Sequence, residues 1–278
     1  MRIEHVERVD DPRLSGYALL GDAAALRRSG SFIAEGRIVV ERLLQSGRYE
    51  IESLLLNGAA LSALEPELGR GLEAPVYVCA PTFFEGLTGH HFHRGCLALA
   101  KRPREPAVAA LLERARTLVV LERVADPDNV GSVFRNAAAF GADAVLLGPS
   151  CADPLYRKAI RTSMAATLNV PFITLGTPQR LAVDPEQSWP ACVGSLREHG
   201  FELLALTPRQ PSRTIDEWVS SSGAGSRVAL LIGAEGDGLS PELSALATER
   251  LRIAMRPGVD SLNLAVATGI ALSRLMRA

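Results

Sequence analysis

The chain is best understood from one segment, LRIAMRPGVDSLNLAVATGIALSRLM, which runs from Leu251 to Met276. A short apolar run leads into a Pro257-Gly258 turn, and a helix-like segment rich in small residues follows. Ser261 and Asn263 lie at the junction, where the first N–H groups of a helix lack intrahelical partners and can be capped or can bind a ligand. The pattern therefore predicts a strand-to-helix junction carrying polar groups, which is where open α/β sheets usually bind their ligands.

Two further stretches have the same strand-turn-helix pattern: DNVGSVFRN at Asp128–Asn136 and LIGAEGDGLS at Leu231–Ser240. Glycines in the second stretch let the backbone approach a ligand closely, and Glu235 among them can accept hydrogen bonds. Taken alone, the first stretch also fits a capped surface helix with a solvated arginine at Arg135. The second also fits a tight turn before a helix that starts at Pro241. Three such junctions in one half of the chain nevertheless indicate a ligand site.

Composition limits the class of protein. The 278 residues are 47% hydrophobic and 5% aromatic, with a formal net charge of −1, so neither a histone-like binder nor many base-stacking platforms are expected. The four cysteines show no CxxC spacing, which argues against a zinc ribbon or a disulfide framework. The amino-terminal sequence is too charged for a signal peptide, and the run Leu264–Leu272 is shorter than the roughly 20 residues that span a bilayer. We therefore expect a cytoplasmic protein with no membrane partner.

Alternating strand and helix patterns predict an α/β fold, and Lys101–Pro106 predicts where it divides. This segment holds two prolines and three basic residues, which is typical of a stiff, solvated connector. We therefore expect two domains, residues 1–104 and residues 105–278. Residues 1–30 carry little pattern, and no strand is predicted there. The predicted strands are Ile51–Leu56, Val76–Val78, Leu97–Ala100, Leu118–Leu121, Ala144–Leu147, Val170–Ile173, Leu203–Leu206, Val228–Ile232 and Leu251–Ile253. The helices predicted in the second domain are Ala107–Ala115, Val130–Phe140, Leu155–Thr162, Ala191–His199, Pro241–Ala247 and Leu262–Met276. Strands separated by helices imply a mostly parallel sheet covered on both faces.

Two clusters of side chains have open interpretations. His90, His91, His93 and Cys96 lie close together, but their spacing matches no familiar ligand set, so we predict no metal site. Basic residues recur at Arg94, Lys101, Arg102, Arg104, Arg157, Lys158 and Arg161. Such residues can neutralise phosphates or simply form a solvated surface, and the sequence does not choose between the two.

The three junctions together resemble the three motifs of the SpoU-type RNA 2′-O-methyltransferases of the SPOUT superfamily. The first motif is carried by Asn129, Gly131, Arg135 and Asn136, and the second by Gly233, Glu235 and Gly236. The third is carried by Ile253, Met255, Ser261, Leu262 and Asn263. Ala254 stands where the family commonly has proline. The resemblance spans roughly residues 118–278.

The first hundred residues resemble the L30e-like substrate-binding domain often attached to these enzymes. The resemblance is carried by FIAEGRIVVERLL at Phe32–Leu44, PVYVC at Pro75–Cys79 and HRGCLALA at His93–Ala100. It implies an RNA-binding domain that helps to select the target.

The resemblance also implies a fold, a cofactor and a reaction. The fold would be a carboxyl-terminal α/β methyltransferase domain with a deep trefoil knot, forming a homodimer through that domain. Loops carrying Gly233, Ile253 and Leu262 would bind S-adenosylmethionine, whose methyl group passes to a ribose 2′-hydroxyl of rRNA or tRNA. Arg135 would stabilise the alkoxide as it forms, because a guanidinium rarely gives up its proton. Catalysis would also need Asn129, Glu235, Ser261 and Asn263 to position the hydroxyl, the phosphate or the cofactor by hydrogen bonds.

Two rival functions belong to other classes. An RNA- or ribosome-binding protein of the same fold would need no methyl transfer, although Arg135 together with Asn263 argues against it. A dinucleotide-dependent oxidoreductase would need a GxGxxG glycine pattern, which the chain lacks.

Overall fold

The structure is a computed structural model, and it describes residues 2–69, 71–84, 95–175, 188–221 and 226–276. In chain order the strands are β1 Arg2–His5, β2 Ser31–Glu35, β3 Ile51–Leu56, β4 Pro75–Val78, β5 Cys96–Lys101, β6 Thr117–Leu121, β7 Ala144–Leu147, β8 Phe172–Thr174, β9 Phe201–Leu206, β10 Arg213–Thr214, β11 Arg227–Ile232 and β12 Glu249–Arg252. The helices are α1 Ala23–Arg28, α2 Arg37–Ser46, α3 Gly58–Leu68, α4 Val108–Arg114, α5 Pro127–Phe140, α6 Arg157–Thr162, α7 Trp189–Gly194, α8 Ile215–Ser221, α9 Pro241–Leu246 and α10 Leu264–Leu275.

The chain folds into two compact units. The first contains Met1–Arg104 and Pro154–Leu168, and the second contains Glu105–Asp153 and Asn169–Ala278. The first unit thus includes a segment that lies, in sequence, within the second predicted domain. The assignment of residues 1–104 and 105–278 as functional domains stays a prediction. His90, His91 and His93 lie outside the described residues.

The first unit is built on a five-stranded sheet in the order β1-β4-β3-β5-β2. Strands β1, β4 and β3 pair in parallel, whereas β5 runs antiparallel to both β3 and β2. The segment that showed little pattern in the sequence supplies β1 and part of the core. Its Tyr17 is fully buried, and the Tyr17 hydroxyl lies 2.9 Å from Ser53 Oγ.

The segment Pro154–Leu168 joins the first unit through polar contacts as well as packing. The buried carboxylate of Glu35 accepts hydrogen bonds from Arg157 Nη1 at 2.8 Å and from Arg161 Nη1 at 3.2 Å. The Tyr49 hydroxyl donates to the Leu168 carbonyl at 2.8 Å. Two of the basic residues noted in the sequence therefore pair with a carboxylate in their own unit. This carboxylate offsets one of their two positive charges.

The second unit is a seven-stranded sheet in the order β10-β12-β9-β11-β6-β7-β8, and every pairing in it is parallel. The interior strand β6, TLVVL, is buried along its length, as expected for a strand covered on both faces. From β6 the chain winds outward to β7 and β8, whereas the later strands β9 to β12 all lie on the other side of β6. The direction therefore changes between β6 and β11, and ligands in open sheets bind outside the carboxyl ends of the strands at such a point.

The predicted α/β class is confirmed, and most predicted elements of the second unit occur with small shifts. The predicted strand Val170–Ile173 is Phe172–Thr174, and the predicted helix Leu262–Met276 is Leu264–Leu275 because Asn263 is its N-cap. Strand β10 was not predicted. The trefoil knot and the L30e-like fold of the first unit stay predictions. No helix in the described part of the chain is both long and apolar enough to cross a membrane.

Candidate active site

The carboxyl ends of β9, β11 and β12 open into a cavity of about 500 Å³. Such a volume falls in the range of small-molecule sites, roughly 300 to 1,000 Å³. Its walls come from the segments that follow these three strands and from the start of α10. Six of the eight predicted site residues line it: Gly233, Glu235, Ile253, Ser261, Leu262 and Asn263. The structure therefore brings the second and third sequence motifs to one place.

The glycine loop after β11 folds back on itself. The Gly238 N–H donates to the Ala234 carbonyl at 3.0 Å. A Cβ atom at Gly233 would lie 2.0 Å from the Gly238 carbonyl carbon, so no larger residue fits there without moving the backbone. Gly236 and Gly238 have φ angles of 84° and 74°, which favour glycine. The sequence suggested that these glycines let the backbone lie close to a ligand. The structure shows that the loop conformation itself requires them.

Asn263 connects all three motifs. Its Nδ2 donates to Asn129 Oδ1 at 3.2 Å and to Glu235 Oε1 at 3.1 Å. Its Oδ1 accepts from the backbone N–H groups of Ala265 at 2.9 Å and Val266 at 3.3 Å, so the same side chain caps α10. The cap fixes the rotamer of Asn263 and leaves its amide group directed at Asn129 and Glu235. Asn129 is buried beside the cavity without lining it.

Helices α5 and α10 pack closely because small and polar residues lie between them. Asn136 Nδ2 donates to the Ala265 carbonyl at 2.7 Å. A Cβ atom at Gly269 would lie 3.1 Å from Asn136 Nδ2, so glycine makes room for this contact. Asn136, which the sequence placed in the first motif, therefore holds α10 in place and does not face the cavity.

Arg135 is not in the cavity of this chain. It lies on the exposed side of α5 and is absent from the cavity lining. The next residue along, Asn136, points toward α10, and successive helical side chains are rotated by about 100°. Six of the eight predicted residues thus line the cavity, and the seventh, Asn129, is hydrogen-bonded to the lining residue Asn263. Only Arg135, of the eight, lies outside this group.

Sequence inspection missed part of the cavity wall. The last residue of β9 and the segment after it contribute Leu206–Gln210, and Arg250 of β12 also lines the cavity. Arg209 Nη2 donates to the Asp237 carbonyl at 3.2 Å, which ties this segment to the glycine loop. The available signal was position, because all parallel strands of one sheet end at the same edge.

Burial controls the reactivity of three cysteine side chains that the structure describes. Burial raises the pKa of the Cys151 thiol to about 11 and the pKa values of the Cys79 and Cys96 thiols to about 12. These thiols stay protonated at neutral pH and are poor nucleophiles. No group of three or more His, Cys, Asp or Glu side chains suited to a metal ion occurs among the residues that the structure describes.

Comparison with known proteins adds independent findings. Residues 116–273 match the SpoU rRNA Methylase family. An uncharacterized tRNA/rRNA methyltransferase of Mycobacterium tuberculosis is 41% identical over 266 residues, which cover 94% of this chain and 88% of that protein. The 23S rRNA (guanosine(2553)-2′-O)-methyltransferase RlmP of Bacillus subtilis is 24% identical, with 98% of this chain and 99% of RlmP covered. The crystal structure of an AdoMet-bound rRNA methyltransferase from Sinorhizobium meliloti shares the fold, with a TM-score of 0.78 at 23% identity over 99% of this chain and 98% of that one.

Proposed function

The chain belongs to the SpoU rRNA Methylase family, and we propose from this premise that it methylates a ribose 2′-hydroxyl of structured RNA, in rRNA or tRNA. RNA methyl transfer follows from the family, while the 2′-hydroxyl as acceptor is the finer part of the proposal. One observation supports methyl transfer at this site. At the N-terminus of α10, Asn263 joins Asn129 of the first motif to Glu235 of the second, so all three motifs meet beside one cavity.

The cofactor is S-adenosylmethionine, and the cavity fits it. A volume of about 500 Å³ is suitable for a ligand of this size, and seven consecutive lining residues, Gly233–Leu239, belong to a glycine loop whose backbone can lie close to a ligand. Residues Gly233, Ile253 and Leu262 would hold it. The bound cofactor supplies a methyl group on a positively charged sulfur, which makes that methyl group susceptible to attack by an oxygen nucleophile.

The protein must make a poor nucleophile react. A ribose hydroxyl attacks well only when its proton leaves or its developing negative charge is stabilised. We assign charge stabilisation to Arg135, because guanidinium groups keep their proton. Asn129, Glu235, Ser261 and Asn263 would orient the hydroxyl or the neighbouring phosphate, and orientation of this kind can lower a barrier by several kcal/mol.

A homodimer would bring Arg135 to a cavity. Arg135 is exposed on α5, and Val266 of α10, the helix that packs against α5, is 52% accessible. Val259, which precedes α10, and Met276, which follows it, are 50% and 41% accessible. A second copy of the chain packed against α10 would remove the apolar surface of Val266 from water. We propose that two copies pair through this surface and that pairing places Arg135 near a cofactor cavity. We keep the cytoplasm as the predicted compartment, on the basis of the RNA substrate.

Two measurements test the function. Calorimetric titration should show binding of S-adenosylmethionine, which a protein that only binds RNA does not require. Incubation of unmodified rRNA and tRNA with the protein and tritiated S-adenosylmethionine should label RNA, and the labelled nucleotide should resist alkaline cleavage on its 3′ side because its 2′-oxygen is blocked. Label on a base with normal alkaline cleavage would reject the 2′-hydroxyl. Absence of both cofactor binding and label would favour the RNA-binding alternative.

A further inference from the structure

A buried carboxylate holds the end of the glycine loop. Glu122 follows directly on β6 and is 3% exposed. Its Oε2 accepts from the Ser240 N–H at 2.7 Å, and its Oε1 accepts from Ser240 Oγ at 2.8 Å and from Trp189 Nε1 at 3.1 Å. Ser240 is the N-cap of α9 and comes immediately after Gly233–Leu239, every residue of which lines the cavity.

The groups around Glu122 are themselves fixed. The Glu122 N–H donates to the Ile232 carbonyl at 2.9 Å, and Arg123 Nη2 donates to the Gly238 carbonyl at 3.1 Å. Trp189 fills the space beside Gly148, where a Cβ atom would lie 2.5 Å from the indole ring. The indole N–H and the Ser240 backbone N–H therefore have little freedom to turn away from the carboxylate.

We propose that Glu122 is a positioning residue for the cofactor. Through Ser240 it sets the conformation of the loop Gly233–Leu239 and thereby the affinity of the cavity for S-adenosylmethionine. Glu122 does not line the cavity, so it acts only through this loop. The inference rests on the proposed function.

The hydrogen-bond pattern distinguishes a carboxylate from its amide isostere. In a Glu122→Gln variant the amide NH2 replaces either Oε1 or Oε2. At Oε2 it would face the Ser240 backbone N–H, and at Oε1 it would face the Trp189 indole N–H. Both are donors that cannot accept, so either orientation leaves two donors opposed. Removal of the indole N–H by Trp189→Phe removes one conflict, because the amide NH2 can then donate to Ser240 Oγ while its oxygen accepts from the Ser240 N–H.

The test uses the full chain and measures S-adenosylmethionine binding by calorimetry for the wild type, Glu122→Gln, Trp189→Phe and the double variant. We expect Glu122→Gln to weaken binding about tenfold or more. In the Trp189→Phe background the same change should cost less than about threefold, a non-additivity that a general loss of stability would not produce. Steady-state methylation should show a raised KM for S-adenosylmethionine, an unchanged KM for RNA and a kcat within about twofold of the wild type.

A matched control is Glu242→Gln, the same change at an exposed position in the first turn of α9, which should leave binding unchanged. Normal wild-type binding with equal affinity in Glu122→Gln would overturn the inference alone. An equal loss of S-adenosylmethionine affinity from Glu122→Gln in the wild-type and Trp189→Phe backgrounds would also overturn it. Such a result would mean that the indole N–H does not oppose the amide NH2 of the variant. A wild type that does not bind S-adenosylmethionine would instead overturn the proposed function itself.

Discussion

At the residue scale, Arg135 is a motif residue that the sequence identifies but that lies outside the cavity of its own chain. The side chain is exposed on α5, so Arg135→Ala should preserve the fold, since surface charges contribute at most about 1 kcal/mol. S-adenosylmethionine affinity should also be retained, because the cavity is lined by other segments. Single-turnover methylation of bound RNA should fall on the order of a hundredfold. Arg135→Lys should be nearly as slow, because an ammonium does not reproduce the planar guanidinium.

The matched control for Arg135 is Arg114→Ala, which removes an exposed arginine at the end of α4 in the same unit. It should methylate at the wild-type rate. Normal turnover in both Arg135→Ala and Arg135→Lys would mean that Arg135 is only a solvated surface residue.

Asn263 has two roles that substitutions can separate. Asn263→Ala removes the cap of α10 together with both side-chain donations, and lost caps cost about 1 kcal/mol of unfolding free energy. Asn263→Asp keeps an oxygen for the Ala265 and Val266 N–H groups but places a second carboxylate against Glu235 and offers no donor to Asn129. Thermal unfolding should therefore show a lower Tm for the alanine variant than for the aspartate variant. Methylation should fall at least about tenfold in both, and an active aspartate variant would remove the amide of Asn263 from the mechanism.

At the scale of elements, the glycine loop makes the clearest prediction. Gly233→Ala places a Cβ atom 2.0 Å from the Gly238 carbonyl carbon, so the loop must shift and its shift deforms the cavity wall. Forced overpacking of this kind typically costs about 1 to 3 kcal/mol, and we expect S-adenosylmethionine affinity to fall about tenfold or more. Gly194→Ala is the control, because its Cβ atom would approach no atom closer than 3.7 Å. Calorimetry that finds equal affinities for the two variants would contradict the role assigned to the loop.

The sequence predicted the elements that bury continuous apolar runs and missed those that depend on distant partners. Strand β6, TLVVL, needs no other information, because an apolar run of this length between turns suits a central parallel strand. Segment Pro154–Leu168 looked like part of the second domain, since nothing local reveals that Glu35 pairs with Arg157 and Arg161. The same limit applies to the site. Motif spacing located Asn263 and Glu235, but the wall at Leu206–Gln210 follows only from the sheet order.

At the scale of the molecule, the first unit should govern RNA affinity and leave cofactor affinity unchanged, since the described cavity lies wholly in the second unit. A fragment starting near Ala107 should bind S-adenosylmethionine about as well as the whole chain and lose most RNA binding. It would also leave Ile160 and Leu168, which are buried in the full chain, without the residues of the first unit. We therefore expect the fragment to unfold at a lower temperature and to aggregate more readily. Equal RNA affinity of fragment and whole chain would reject the substrate-binding role.

The oligomeric state decides whether the separation between Arg135 and the cavity in one chain is meaningful. Light scattering at micromolar concentration should give a dimer. Val266→Asp places a charge on the exposed apolar face of α10, and desolvating an unpaired charge at an interface core costs several kcal/mol, which is enough to favour the monomer. The monomeric variant should methylate poorly because Arg135 no longer reaches a cavity. Ile38→Asp is the matched control on the first unit, where Ile38 is 46% exposed, and it should remain dimeric. A monomeric wild type with full activity would show that Arg135 acts within its own chain or does not act at all.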